Sequence, residues 1–294
     1  MFKLMLIIWN FLHLGSSQSS MEDLCPVSTI QVEYWQCPEP NLLYNCHKIL
    51  NYKDMSGHKT FLHEDWDYET LHSVVRMQLK NIQHLQKIPR ITSAEFEKMK
   101  IPENLFEFVL GQIDISSSIP EVCSGTGHLN CTPRKTVATF IPLKDIQLVR
   151  STVDEVLRPI VEEWSGIKLG NSQLYFVRRY NKGSRLALHV DKADVNVIGV
   201  ILNLSQNIST PWDFLVLNSD REVTRILLHP GEMILFESAR LPHGRQDPLD
   251  GESYDNLFVH FRPVDWNSQD IESEIEKEQT YPTYASISSS NKQI

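Results

Sequence analysis

The chain has no run of basic residues, no Cys-x-x-Cys pair and no cysteine in its second half. Beyond its first twenty residues it also has no apolar stretch long enough to cross a bilayer. A formal net charge of -9 without a basic run argues against nucleic acid as the main partner. Without Cys pairs at zinc-ligand spacing there is no signature of a structural zinc module. The lack of a second apolar run leaves no membrane span once the leader is removed.

The leader itself is distinct. Lys3 precedes the apolar run LMLIIWNFLHLG, and GSSQSS follows with small residues for cleavage, so residues 1–20 are expected to be a secretory signal peptide. An uncleaved signal anchor is the second reading. The ending NKQI is not a KDEL-type retrieval signal, so the secretory pathway is expected, as the endoplasmic reticulum lumen or beyond, without a sign of which. The five cysteines, Cys25, Cys37, Cys46, Cys123 and Cys131, suit an oxidising compartment. Cys123 and Cys131 bracket a Gly/Ser-rich loop that a disulfide would close, and the remaining three leave an odd thiol. Sequons stand at Asn130, Asn203 and Asn207, and Asn203 is placed at the end of a core strand, where a glycan fits poorly.

Residues 21–60 show no hydrophobic period and are expected to be an irregular, Cys-containing segment. Residues 61–168 read as a helical support region. Within it Leu71, Val74, Val75, Leu79, Ile82 and Leu85 fall on one helical face up to Pro89. A second helix starts at Pro102 and buries Leu105, Phe106, Val109, Leu110 and Ile113. The clearest helix runs from Leu143 to Trp164, in which Ile146, Val149, Val153, Val156, Leu157, Ile160, Val161 and Trp164 keep a three-and-four spacing, with Pro159 as the expected kink and Gly166 as a stop. A long one-faced helix ahead of a run of strands is suited to cover the back of a sheet.

After Leu169 the period becomes that of strands. QLYFVRRY, RLALHV, VNVIGVILNL, DFLVL, VTRILL, EMILFE and NLFVHFR are short β-rich runs separated by Gly, Pro, Asn and Asp. The pattern predicts an antiparallel sandwich or jelly roll over 169–266, mainly β with flanking helices. Residues 267–294 are acidic and then Ser-rich, and are expected to be a disordered tail.

In a strand, alternate side chains share a face, so His189 and Asp191 in RLALHVD aim an imidazole and a carboxylate at one spot. His243, after the strand EMILFE, completes a set of two histidines and one carboxylate. That set holds non-haem Fe(II) while leaving positions open. Singly each residue has a plainer reading: a core histidine, a turn aspartate, a loop histidine. Their order along the strand-rich region favours the metal. A second His-x-Asp, His63 and Asp65, precedes a helix and is assigned no metal.

The span from about Ile101 to Trp266 resembles the 2-oxoglutarate/Fe(II)-dependent oxygenase superfamily, prolyl 4-hydroxylase-like group. YNKGSRLALHVD is similar to that family's Tyr, Gly and H-x-D segment, HPGEMILFE to its Pro-x-x-Gly-Asp strand, and LPHGR to its distal-histidine turn. The resemblance implies a double-stranded β-helix, of the jelly-roll or cupin-like kind, behind an α-helical segment. It implies His189, Asp191 and His243 as iron ligands and Tyr180 as a contact to 2-oxoglutarate. The activity implied is hydroxylation with molecular oxygen, Fe(II), 2-oxoglutarate and ascorbate, on a protein or peptide side chain.

The chain departs from that pattern where the family places a Lys or Arg about ten residues past the distal histidine; here stand Ser253 and Tyr254. A buried carboxylate without a cationic partner is costly. Arg245 is therefore the expected partner of the far carboxylate of 2-oxoglutarate, ahead of Arg178 and Arg262. The different class kept beside this one is a secreted binding protein that retains the barrel without turnover. Oligomeric state is not readable.

Overall fold

The computed structural model describes residues 29–35, 46–53, 81, 84–121, 137–220 and 222–267. The leader, the pairing of the cysteines, most of the helix expected from Asp67, the second His-x-Asp and the tail beyond 267 lie outside the described residues.

Where an irregular segment is expected, strands β1 (Thr29–Trp35) and β2 (Cys46–Lys53) pair antiparallel, with one register irregularity between Gln31 and Val32. The support region likewise contributes strands as well as helices. In chain order it holds β3 (Phe96–Lys100), α1 (Glu103–Gln112), the two-residue β4 (Ile119–Pro120), β5 (Ala138–Ile141) and α2 (Ile146–Ser165). Eight strands follow: β6 (Val177–Asn181), β7 (Leu186–His189), β8 (Ile198–Ile208), β9 (Phe214–Leu217), β10 (Val223–Ile226), β11 (Glu232–Phe236), β12 (His243–Arg245) and β13 (Gly251–Phe261).

These eight are dealt out between two antiparallel sheets. The larger has the order β3-β11-β8-β13-β6-β5-β4 and the smaller β10-β9-β12-β7. Four strands of the run β6 to β13 lie in each sheet, and the chain crosses between them as it winds. This is a double-stranded β-helix, with β3, β5 and β4 widening the larger sheet. No helix among the described residues is long and apolar enough to cross a membrane.

Side-chain alternation divides the large sheet into an outer and an inner face. Val200, Leu202, Leu257, Val259 and Phe261 point outward and form one core with Val149, Val153, Leu157 and Val161 of α2. Ile201, between two of the outward residues, packs inward with Phe214, Val216, Ile234 and Phe236, where the two sheets meet. Helix α2 is set at both ends by its own sequence. The Asp145 carboxylate accepts the Gln147 and Leu148 N–H groups, and Gly166 adopts φ 71° at the stop. Because Leu157 is fully buried, truncating it to Ala is expected to cost about 2–5 kcal/mol. In α1 only Leu105 and Val109 of the expected apolar face are buried, and Leu110 is exposed.

Two local differences bear on the site. Within LPHGR, His243–Arg245 is a strand, paired with β7 and β9, and Gly244 lets it lie close against the β7 backbone. Asn203 sits within β8 rather than at its end, fully buried, so this sequon has no room for a glycan.

Candidate metal centre

The three residues singled out by sequence converge. His189 is the last residue of β7, Asp191 lies just past it, and His243 opens β12 as the cross-strand partner of His189. The Asp191 N–H donates to the Ser238 carbonyl, so the turn beyond β7 is tied to the segment that leads into β12. The Nε2 atoms of His189 and His243 each lie 4.0 Å from Asp191 Oδ1. One potential ligand atom from each of the three residues falls within 4.8 Å of the others.

The imidazoles are oriented by their own backbone. His189 Nδ1 lies 2.9 Å from the Ala187 carbonyl, and His243 Nδ1 2.9 Å from the Leu241 carbonyl. A carbonyl oxygen only accepts, so in the neutral rings Nδ1 carries the hydrogen and the Nε2 lone pair is left aimed at the centre. This is the tautomer a metal requires. Burial pushes the His243 imidazole below its ordinary pKa, against the attraction of Asp191, and so favours the neutral ring. Burial acts to raise the Asp191 carboxyl, but a hydrogen bond from His260 and the nearby histidines outweigh it and hold the group well below the usual carboxylate range. Phe236 and Phe214 wall the site, their ring centroids 4.7 Å and 5.7 Å from that of His243.

A network behind the site holds its backbone. Arg240 is ion-paired with Glu95 at 2.7 Å and lies 3.6 Å from Glu237. Glu237 in turn accepts the Thr92 N–H at 2.7 Å. Glu95 has φ 63°, the one non-glycine residue with positive φ among the described residues. Burial raises the Glu237 carboxyl despite these partners.

The second expected group, Tyr180 and Arg245, also lies inside the barrel. Both are buried. The Arg245 guanidinium is held between two rings, its carbon 4.5 Å from the centroids of both Trp212 and Tyr254. It donates to the Trp212 carbonyl and, at 3.3 Å, to the Tyr254 hydroxyl. No carboxylate of the described residues pairs with it. The other two arginines are placed otherwise. Arg178 is ion-paired with Glu121 at 2.9 Å, and Arg262 is exposed and donates to the Trp266 carbonyl.

Polar atoms without partners mark the same interior. Asn203 and Asn256 are cross-strand partners on the inner face of the large sheet, and neither side chain makes a hydrogen bond. The buried Gln206 Oε1 is likewise unbonded, and the Tyr180 hydroxyl has no well-formed hydrogen bond, with the Arg178 guanidinium beside its ring. A buried guanidinium without an anion, together with orphaned amides and a phenol, fits a small anionic, oxygen-rich molecule beside the His-Asp-His set.

Three contributors were not assigned a part by sequence. Trp212 is remote from every motif and only the cross-strand geometry places it, so no sequence signal marks it. Tyr254 was legible only as the absence of a cation. His260 is the third; its partner is Asp191, with Nε2 3.1 Å from Oδ2. Alternation along NLFVHF puts it on the inner face and was the available clue.

No family model matches the sequence, and no curated protein matches it. Solved structures similar to this chain include prolyl hydroxylases. A Pseudomonas putida prolyl-4-hydroxylase is 13% identical, with 57% of this chain and 92% of that one covered and a TM-score of 0.40. A prolyl hydroxylase from Trichoplax adhaerens, in complex with a hypoxia inducible factor oxygen degradation domain peptide fragment, is 13% identical, with 68% and 94% covered and a TM-score of 0.42. A viral collagen prolyl hydroxylase from Paramecium bursaria Chlorella virus-1, in a 2OG complex, is 13% identical, with 58% and 98% covered and a TM-score of 0.41.

Proposed function

We propose that this chain is an Fe(II)- and 2-oxoglutarate-dependent oxygenase that hydroxylates a protein or peptide side chain. The observation that carries the reading is the convergence of two histidines, each with Nδ1 on a backbone carbonyl and Nε2 turned inward, on one oxygen of Asp191. Two imidazoles and one carboxylate are the donor set suited to Fe(II) with positions left open.

His189, Asp191 and His243 would hold the iron. Arg245 would pair with the far carboxylate of 2-oxoglutarate, and Tyr180 would donate its hydroxyl to the same molecule. Trp212 and Tyr254 keep the Arg245 guanidinium in one orientation and exclude water from it. Asn203 and Asn256 offer donors and acceptors to the co-substrate or to water around it. Phe214 and Phe236 keep the His243 side of the site dry, which strengthens electrostatic interactions within it. When bound, iron and co-substrate supply the overall conversion of R–H, O2 and 2-oxoglutarate into R–OH, succinate and CO2.

The secretory signals in residues 1–20 and the cysteines support a substrate met in the endoplasmic reticulum lumen or outside the cell, with ascorbate as reductant. The test is succinate formation from 2-oxoglutarate by the purified protein with Fe(II), ascorbate and a panel of peptides. Peptide-dependent succinate and a mass gain of one oxygen on a peptide are expected. No succinate across the panel would instead favour a binding protein without turnover.

A further inference from the structure

The two oxygens of Asp191 have different neighbours. Oδ1 faces the Nε2 atoms of His189 and His243, both at 4.0 Å, whereas Oδ2 is 3.1 Å from Nε2 of His260. His260 stands on the opposite wall, in β13, on the inner face of the large sheet. Its backbone is fixed on one side by reciprocal hydrogen bonds with Gln173, at 2.9 Å and 2.8 Å. Across the ladder its partner is Gly199, which brings no side chain of its own into the space. His260 is not one of the three residues whose donor atoms cluster at the centre.

We propose that His260 is a positioning residue that engages Oδ2 of Asp191, makes Asp191 a one-oxygen ligand, and so preserves an open position on the metal. This rests on the metal-site reading above. An aspartate free to rotate offers either oxygen, or both together, and two-oxygen binding would fill a position that the co-substrate or oxygen needs. A neutral His260 ring with its hydrogen on Nε2 donates to Oδ2 and leaves only Oδ1 available. Partners of this kind orient a ligand and raise metal affinity.

The test is Mn(II) binding, by electron paramagnetic resonance of free Mn(II), and the visible absorption of the Co(II)-loaded protein. His260→Leu should weaken Mn(II) binding about 10–100-fold and change the Co(II) spectrum, as expected when an outer partner of a ligand is removed. His260→Gln, which keeps a donor at similar reach, should recover most of the affinity and the wild-type spectrum. Nitrogen-detected histidine resonances of the Zn(II)-loaded wild type, which need no variant to fold, should show His260 protonated at Nε2. Wild-type affinity in His260→Leu, equal loss in the Leu and Gln variants, or a His260 hydrogen on Nδ1 would each overturn the proposal. Metal uptake by the wild type with any of those results sinks the role of His260 alone, whereas a wild type that takes up no metal overturns the site reading as well.

Discussion

His189 and His243 are direct cross-strand partners of β7 and β12, with ring centroids 4.4 Å apart. Neither residue could be moved along its strand without losing the other. The pairing depends on Gly244, whose Cβ, if present, would lie 2.6 Å from the Leu186 carbonyl oxygen and 2.8 Å from that of Ala187. Those are backbone atoms and cannot swing aside.

Gly244→Ala should therefore push β12 off β7 and carry His243 away from His189. Overpacking of this kind costs about 1–3 kcal/mol, read as a lower midpoint in chemical denaturation. Metal affinity should fall as well. An alanine variant with wild-type stability and wild-type Mn(II) affinity would show that the close approach is not needed.

Arg245 tests the co-substrate. If it pairs with a carboxylate in this buried setting, removing one partner costs about 3–5 kcal/mol. At about 1.4 kcal/mol per tenfold, Arg245→Ala should weaken 2-oxoglutarate binding by roughly two to three and a half orders of magnitude while leaving Mn(II) affinity nearly unchanged. Arg245→Lys should recover only part, since an ammonium does not reproduce the planar fork or the stacking on Trp212 and Tyr254. Calorimetry with the Mn(II)-loaded protein reads both. Arg262→Ala, at an exposed residue, serves as the control.

The network behind the site should matter to stability first. Arg240→Ala leaves the buried Glu237 without its cation and Glu95 with only Arg90, at 3.7 Å, which is expected to cost about 3–5 kcal/mol in denaturant unfolding. A loss under 1 kcal/mol would mean that water replaces the guanidinium at little cost.

Acid sensitivity should come in part from Glu232. Burial acts to raise this carboxyl, but the His229 N–H, Lys100 and Lys98 outweigh it and lower the group to about 2. Its folded pKa lies below the unfolded one, so its contribution is full above about pH 4.5 and is lost as pH falls toward about 2. Lys100 is largely solvated and Lys98 partly so, and Glu232→Gln should therefore cost about 1 kcal/mol at pH 7 and flatten stability across that acid window. An unchanged pH profile would remove Glu232 from the account.

The parts of the fold that repeat locally were legible in sequence. Helix α2 announces itself through Val149, Val153, Leu157 and Val161, and seven of the eight barrel strands through short β-rich runs. The His-x-Asp pair was legible because alternation is a two-residue rule. What depends on register was not. Nothing in LPHGR says that it forms a strand, since three residues carry no period and the closeness allowed by Gly244 is a property of the neighbour. Trp212 over Arg245 and His260 on Asp191 are contacts between segments whose alignment only the completed ladders fix. Strand β1 did carry a clue, the alternation of Ile30, Val32 and Tyr34 in TIQVEYW, but its partner β2, CHKILNYK, shows none, and a lone run of seven residues among irregular sequence does not announce a hairpin.

Metal uptake tests the central claim most directly. The purified protein, stripped of metal and titrated with Mn(II) without oxygen chemistry, should bind one equivalent. At about 100 times the dissociation constant the ion should stabilise the fold by about 2.7 kcal/mol. His189→Ala, Asp191→Ala and His243→Ala should each remove both the binding and the stabilisation while remaining folded. Undiminished uptake of one Mn(II) by Asp191→Ala or His243→Ala, or none by the wild type, would contradict the account.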